Sequence, residues 1–76
     1  MAMIPLINLL SDERWDVRLY AARALGKIGA REPIRYLIPL LHDEFDLANR
    51  EAALALDRLE WIPTSEDQTT AYYLAK

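Results

Sequence analysis

Apolar residues recur along this chain at helical spacing. Met3, Leu6, Ile7 and Leu10 stand at i, i+3, i+4 and i+7, and Ile34, Leu37, Ile38 and Leu41 repeat the arrangement. This is one face of a helix and not the alternation of a strand. Two further stripes follow the same period: Val17, Ala21, Ala24, Leu25 and Ile28, then Ala48, Ala52, Ala55, Leu56 and Leu59. In the stretch DVRLYAARALGKIG the inner face is mostly alanine, with Val17, Leu25 and Ile28 as its larger members. A helix with so small a buried face is expected to lie very close to other helices.

The pattern is a repeat. Shifted by 31 positions, Leu6, Ile7, Leu9 and Leu10 fall on Leu37, Ile38, Leu40 and Leu41; Asp12 and Glu13 fall on Asp43 and Glu44; Ala21, Ala22, Ala24 and Leu25 fall on Ala52, Ala53, Ala55 and Leu56. No gap is needed from Met3 to Ala30. Repeats of this kind are read before anything else, because each is one supersecondary unit. Here each holds two helices joined by a short polar turn, SDER or HDEF. Asp16 and Asp46 suit the first turn of the second helices, where negative charge meets the dipole. Gly29 suits the position just past a helix end, and Pro33 the first turn of the next helix. Pro39 falls inside the third helix and frees the carbonyl of Arg35, so a bend is expected there.

The pattern changes after Glu60. WIPTSEDQ reads as a loop leading to a capping box of Ser65 and Gln68. A last helix then runs from about Glu66, its apolar face Ala71, Leu74 and Ala75, flanked by Tyr72 and Tyr73. The expected architecture is all-α: one domain over 1–76, with repeat one at about 3–30, repeat two at about 34–61 and a closing half-repeat at about 64–76. Two helical hairpins are followed by one terminal helix.

Composition narrows the chemistry. Seventy-six residues bury a thin core, about 60% of the unfolded surface at this size. There is no cysteine, which excludes a disulfide framework, a zinc-thiolate site and a cysteine nucleophile. It also fits a reducing compartment, and a cytoplasmic location is expected. No apolar run approaches the ~20 residues of a membrane span. MAMIPLINLLSDERW lacks a basic leader and a small-residue cleavage site, so it is not read as a signal peptide. The formal net charge of -3 argues against nucleic acid and anionic membranes as partners.

The unit L-I-x-L-L-x-D-E…V-R-x-x-A-A-x-A-L-G-x-I-G resembles the HEAT repeat, in the short bacterial and archaeal form known as the phycobilisome-lyase HEAT-like repeat. Leu6, Ile7, Leu9, Leu10, Asp12, Glu13, Val17, Arg18, Ala21, Ala22, Ala24, Leu25, Gly26, Ile28 and Gly29 carry the likeness. It implies an α-α superhelix, a HEAT-like α-solenoid whose second helices stack on the inner curve. Repeat two departs from it: Ala48 and Asn49 replace the Val-Arg pair, and Asp57 and Glu60 replace the two glycines. The likeness also implies that Arg18 bridges neighbouring repeats through an acid such as Asp43, as the arginine of this pattern tends to.

Solenoid repeats contact only their neighbours, and about three are usually needed to cover a core. Two and a half are present, and Met1, Met3 and Ile4 begin the first helix without a polar cap. A piece of a longer protein, or a chain that pairs with itself through open ends, is therefore expected.

Catalytic candidates are few. His42, the one histidine, could act with Asp43, Glu44 or Asp46 as a base or ligand. A metal site wants several converging ligands, and a solvated histidine near a helix C-terminus is the better reading. In deoxyhypusine hydroxylases, HEAT-type repeats hold iron through His-Glu pairs at the start of the second helix. The matching place here is Asn49-Arg50-Glu51, without the histidine, so that activity is not implied. Ser11 and Ser65 have no triad partners and sit at helix boundaries. Trp15 and Trp61 read as packing at the hairpin corners. No cofactor and no metal site is expected.

The candidate binding surface is the outer stripe of the second helices: Leu19, Tyr20, Arg23 and Lys27 beside Arg50, Glu51, Leu54 and Arg58. In a solenoid these rows adjoin on the concave side, with Leu19, Tyr20 and Leu54 as an apolar strip edged by arginines. Exposed aromatics and arginines are what interfaces favour. The expected function is a non-catalytic scaffold that binds another protein through this face. The alternatives are a subunit handling bilin chromophores, as phycobilisome-lyase members do, and a purely structural end-cap of a longer solenoid.

Overall fold

The computed structural model describes residues 3–29 and 31–75, and its helices follow the predicted order. The side chains of Met3 and Ile4 lie outside that description, as does Met1, and with them the expected apolar start of the first helix. Helix α1 spans Met3–Leu9 and α2 spans Trp15–Ile28. Helix α3 spans Ile34–Leu37 and continues as a 3-10 turn, Ile38–His42. Helix α4 spans Asp46–Arg58 and α5 spans Glu66–Ala75. No strand is present among the described residues.

The turns inside the two hairpins are built alike. Oδ1 of Asp12 accepts from the Arg14 amide at 2.9 Å, and Oδ1 of Asp43 accepts from the Phe45 amide at 2.9 Å. An aspartate that mimics a backbone turn in this way releases the chain into the next helix. The helix exits also correspond. Gly29 closes α2 at φ 81°, and its amide reaches the carbonyl of Leu25. Thirty-one residues on, Glu60 takes φ 60°. There the amides of Glu60 and Trp61 reach back to the carbonyls of Asp57 and Leu56, the paired bonds of a Schellman ending.

The core lies between the second helices and the first helices beneath them. Leu25, Leu37 and Leu56 are fully buried, with Ala21, Ala22, Ala52, Ala53 and Ala55 around them. Helices α2 and α4 approach where a Cβ on Gly26 would stand 3.0 Å from both Cα and Cβ of Ala55. Small residues serve the close approach here, as expected from the alanine stripe. Leu10, Leu41 and Tyr72, each 31 residues after the last, are all buried.

Four details differ from expectation. Pro39 does not bend a continuous helix: the α-helix stops at Leu37 and a 3-10 turn carries Leu40 and Leu41 into the core. A residue without an N–H cannot close an i→i−4 bond, and the tighter turn absorbs it. Ile28, placed on the buried stripe, is 48% exposed, because no described element packs on that side of α2. On α5 the buried residue is Tyr72, with Gln68, Ala71 and Ala75 half-buried, while Leu74 is 82% exposed. Tyr72 wins the inward position because Trp61 meets its ring edge-on at 5.4 Å and Asp57 accepts from its hydroxyl. The capping box is also shifted. Ser65 Oγ accepts from the Gln68 amide at 3.1 Å, but Gln68 Oε1 turns back to the amide of Thr64 at 3.0 Å.

Candidate functional site

The outer rows of α2 and α4 form one surface, held together at its centre. Tyr20, Arg23 and Lys27 lie at i, i+3 and i+7 on α2 and are exposed; Arg50, Leu54 and Arg58 lie at i, i+4 and i+8 on α4 and are exposed. The Arg23 guanidinium sits 5.4 Å over the Tyr20 ring and donates to Glu51 Oε1 at 3.2 Å. The two helices are thus joined across the face by Tyr20, Arg23 and Glu51.

Two expected members of the strip are not on it. Leu19 is buried, because it shares the row of Ala22 and Gly26, the row turned toward α4. Glu51 is also buried, and its carboxylate is spent on Arg23. A buried carboxylate needs such a partner. The apolar part of the face is therefore Tyr20 and Leu54 alone. Lys27, Arg50 and Arg58 make no ion pair among the described residues, so the surface is positive although the whole chain is negative.

The expected bridge between repeats is present. Arg18 donates from Nε and a terminal nitrogen to both carboxylate oxygens of Asp43, at 2.6 and 3.0 Å. Its other terminal nitrogen donates to the carbonyls of Asp12 and Glu13 at 2.7 and 3.1 Å, and the guanidinium lies 5.7 Å over the Phe45 ring. Burial pushes the Asp43 carboxyl up, but the hydrogen bonds from Arg18 and the Phe45 amide outweigh it, and its pKa ends below the ordinary value. Trp15 stacks on Phe45 at 5.9 Å, which places it at the hairpin corner.

A groove of about 630 Å³ runs between the start of α4 and α5, lined by His42, Asp43, Asp46, Asn49, Arg50 and Asp67 among others. A smaller one, about 260 Å³, lies one repeat earlier beside Ser11, Arg18 and Tyr36. Arg18 lines the small groove, whereas the shorter Asn49 stands at the matching place in the large one. His42 is exposed there. Among the described residues no group of three or more histidine, cysteine or acidic side chains is placed to hold a metal.

Beyond the expected residues, Ile62, Tyr73 and Leu74 are exposed apolar side chains around α5. Carrying the 31-residue shift past Leu41 to Tyr72 would have turned Tyr72 inward and Leu74 outward. No helix of the described residues is long and apolar enough to cross a membrane.

Comparison with known proteins adds one finding. No curated protein and no solved structure matches the chain. The family described as HEAT repeats matches over residues 4–75, nearly the whole length, with the helical hairpins, the inter-repeat arginine and the close α2–α4 contact already in place. The chain belongs to the HEAT-repeat family.

Proposed function

We propose that the protein is a non-catalytic scaffold whose α2–α4 face, the concave side in a solenoid of this family, binds another protein. The observation that carries this reading is the Tyr20–Arg23–Glu51 arrangement at the centre of that face. Tyrosine and arginine are the residues on which interfaces concentrate their energy. A guanidinium already fixed over a ring loses less freedom on binding. Around it, Leu54 offers apolar contact and Lys27, Arg50 and Arg58 offer charge, which suits a partner surface rich in carboxylates.

HEAT repeats serve generally as protein-interaction scaffolds, and the 31-residue spacing supports the phycobilisome-lyase type within the family. A bilin handler would offer an enclosed, largely apolar slot. The largest groove is lined chiefly by polar side chains, so the scaffold reading is preferred to chromophore chemistry. A cytoplasmic location belongs to the same reading, since a chain without cysteine has no use for an oxidising compartment.

The test is retention of cell proteins on immobilised wild type and on the Tyr20→Ala/Leu54→Ala variant. Both positions are exposed, so the fold is expected to survive, and circular dichroism checks it. Proteins retained by the wild type and lost by the variant support this face. Equal retention removes it as the binding site.

A further inference from the structure

The two second helices share a register, but their sides do not share surroundings. On α4 the row Ala48, Ala55 and Leu59 is buried, at 0, 2 and 3% exposure. Ala55 in that row meets Gly26 of α2. The matching row on α2, 31 residues earlier, is Val17, Ala24 and Ile28. Val17 and Ala24 are half-buried and Ile28 is exposed.

The turn aspartates show the same contrast. Asp12 and Asp43 accept the same turn amide, and their carbonyls both accept from the second helix, from Arg18 at 2.7 Å and Asn49 at 3.2 Å. Only Asp43 also receives a guanidinium from the preceding hairpin. The Asp12 carboxylate has no further partner among the described residues. The α1–α2 side therefore repeats, position for position, the surface that the second hairpin turns to α2.

The contact already made inside the chain defines what such a surface takes. Helix α2 brings Arg18 to the aspartate, Leu19 and Ala22 to the row, and Gly26 to the closest approach. The matching residues of α4 are Asn49, Arg50, Ala53 and Asp57. They offer no guanidinium at the clamp, a charge in place of Leu19 and a carboxylate in place of Gly26. The second hairpin of another copy is thus a poor fit, and the α2 row of another copy is already occupied by its own α4.

We propose that the α1–α2 side docks a HEAT-type helical hairpin from outside this sequence. That hairpin carries an arginine near the start of its second helix, which bonds Asp12, and a glycine or alanine two turns later, which lets its backbone approach Ala24. Assembly then grows from this side, while the opposite side is covered by α5.

The test uses the 76-residue protein and a chain lengthened at its N-terminus by a second copy of residues 1–31, which supplies such a hairpin in register. The lengthened chain is expected to melt in one step and at a higher temperature. Asp12→Asn in the original segment keeps the turn bond and removes the charge. It is expected to lower the melting temperature of the lengthened chain by about 4 °C or more, at roughly 4–8 °C per kcal/mol for chains of this size, and to leave the 76-residue protein nearly unchanged. Ile28→Lys is expected to behave in the same way. Equal effects in both chains, or a lengthened chain that melts no higher or in two steps, would overturn the proposal. So would a dimer of the 76-residue protein, seen by light scattering, that Ile28→Lys dissolves, since that result gives the surface to a second copy.

Discussion

Arg18 and Asp43 stand 25 residues apart in sequence and are joined by two hydrogen bonds, with side chains only 12% and 7% exposed. An exposed pair would contribute little. This one is screened from water, is bidentate, and has its remaining donors satisfied by backbone carbonyls. It clamps the second hairpin to the first. Removing one partner leaves the other charge poorly solvated. Arg18→Ala is expected to cost about 2–3 kcal/mol, read by urea unfolding. A double-mutant cycle with Asp43→Asn is expected to show coupling, and strict additivity would show that the two residues act separately.

The same carboxylate gives a pH dependence. The pKa of Asp43 is lowered in the folded protein, from an ordinary value of 3.8. Its contribution is therefore fully present above that value and is lost as pH falls through the depressed folded value. Melting temperatures below about pH 4 should fall more steeply for the wild type than for Asp43→Asn. Parallel profiles for the two would count against a stabilising charge at this site.

Gly26 has little space for a side chain. A Cβ there would meet the Cα of Ala55 at 3.0 Å, and backbone cannot swing aside as a side-chain tip can. Alanine is the better helix former by about 1 kcal/mol, but overpacking costs about 1–3 kcal/mol. Gly26→Ala should be net destabilising by about 1 kcal/mol, and Gly26→Val by more. A gain in stability for the alanine variant would mean the helices can separate freely.

Glu60 offers the opposite case. It takes φ 60°, where its counterpart Gly29 takes 81°, and left-handed backbone costs a residue with a Cβ about 1–2 kcal/mol. Part of the relief is cancelled by the greater freedom of glycine in the unfolded chain. Glu60→Gly is expected to raise stability by about 0.5–1 kcal/mol, measured by thermal melting. A loss instead would reveal a role for the carboxylate that outweighs the strain.

Tyr72 ties α5 to the body through Asp57 and Trp61. Tyr72→Phe keeps the ring and removes the hydroxyl, at an expected cost of about 1 kcal/mol. Tryptophan fluorescence should report a change near Trp61 before the far-ultraviolet helix signal falls. Simultaneous loss of both signals at the wild-type midpoint would show that the bond adds nothing.

Much of this was legible in the chain because it is said twice. The shift of 31 residues paired Asp12 with Asp43 and Gly29 with Glu60 before any coordinates, and each pair proved to share its backbone geometry. Helix order and the Arg18–Asp43 bridge followed from the same correspondence. The sites that were misplaced are instructive. Leu19 and Tyr20 are sequence neighbours on a helix edge, and spacing alone does not say which of them turns to α4. Leu74 and Tyr72 both fit an apolar stripe on a short helix, and the choice fell to Trp61 and Asp57, which come from other elements.

The sequence by itself determined the helical period, the repeat, the turn residues and the small-residue stripe, because these depend on residues within one or two turns of each other. The tertiary structure alone decided that Ile28 is open while Leu59 is closed, that Glu51 is buried against Arg23, and that Gly26 is where α2 and α4 come closest. Identical local patterns met different neighbours, and burial belongs to the neighbour as much as to the residue.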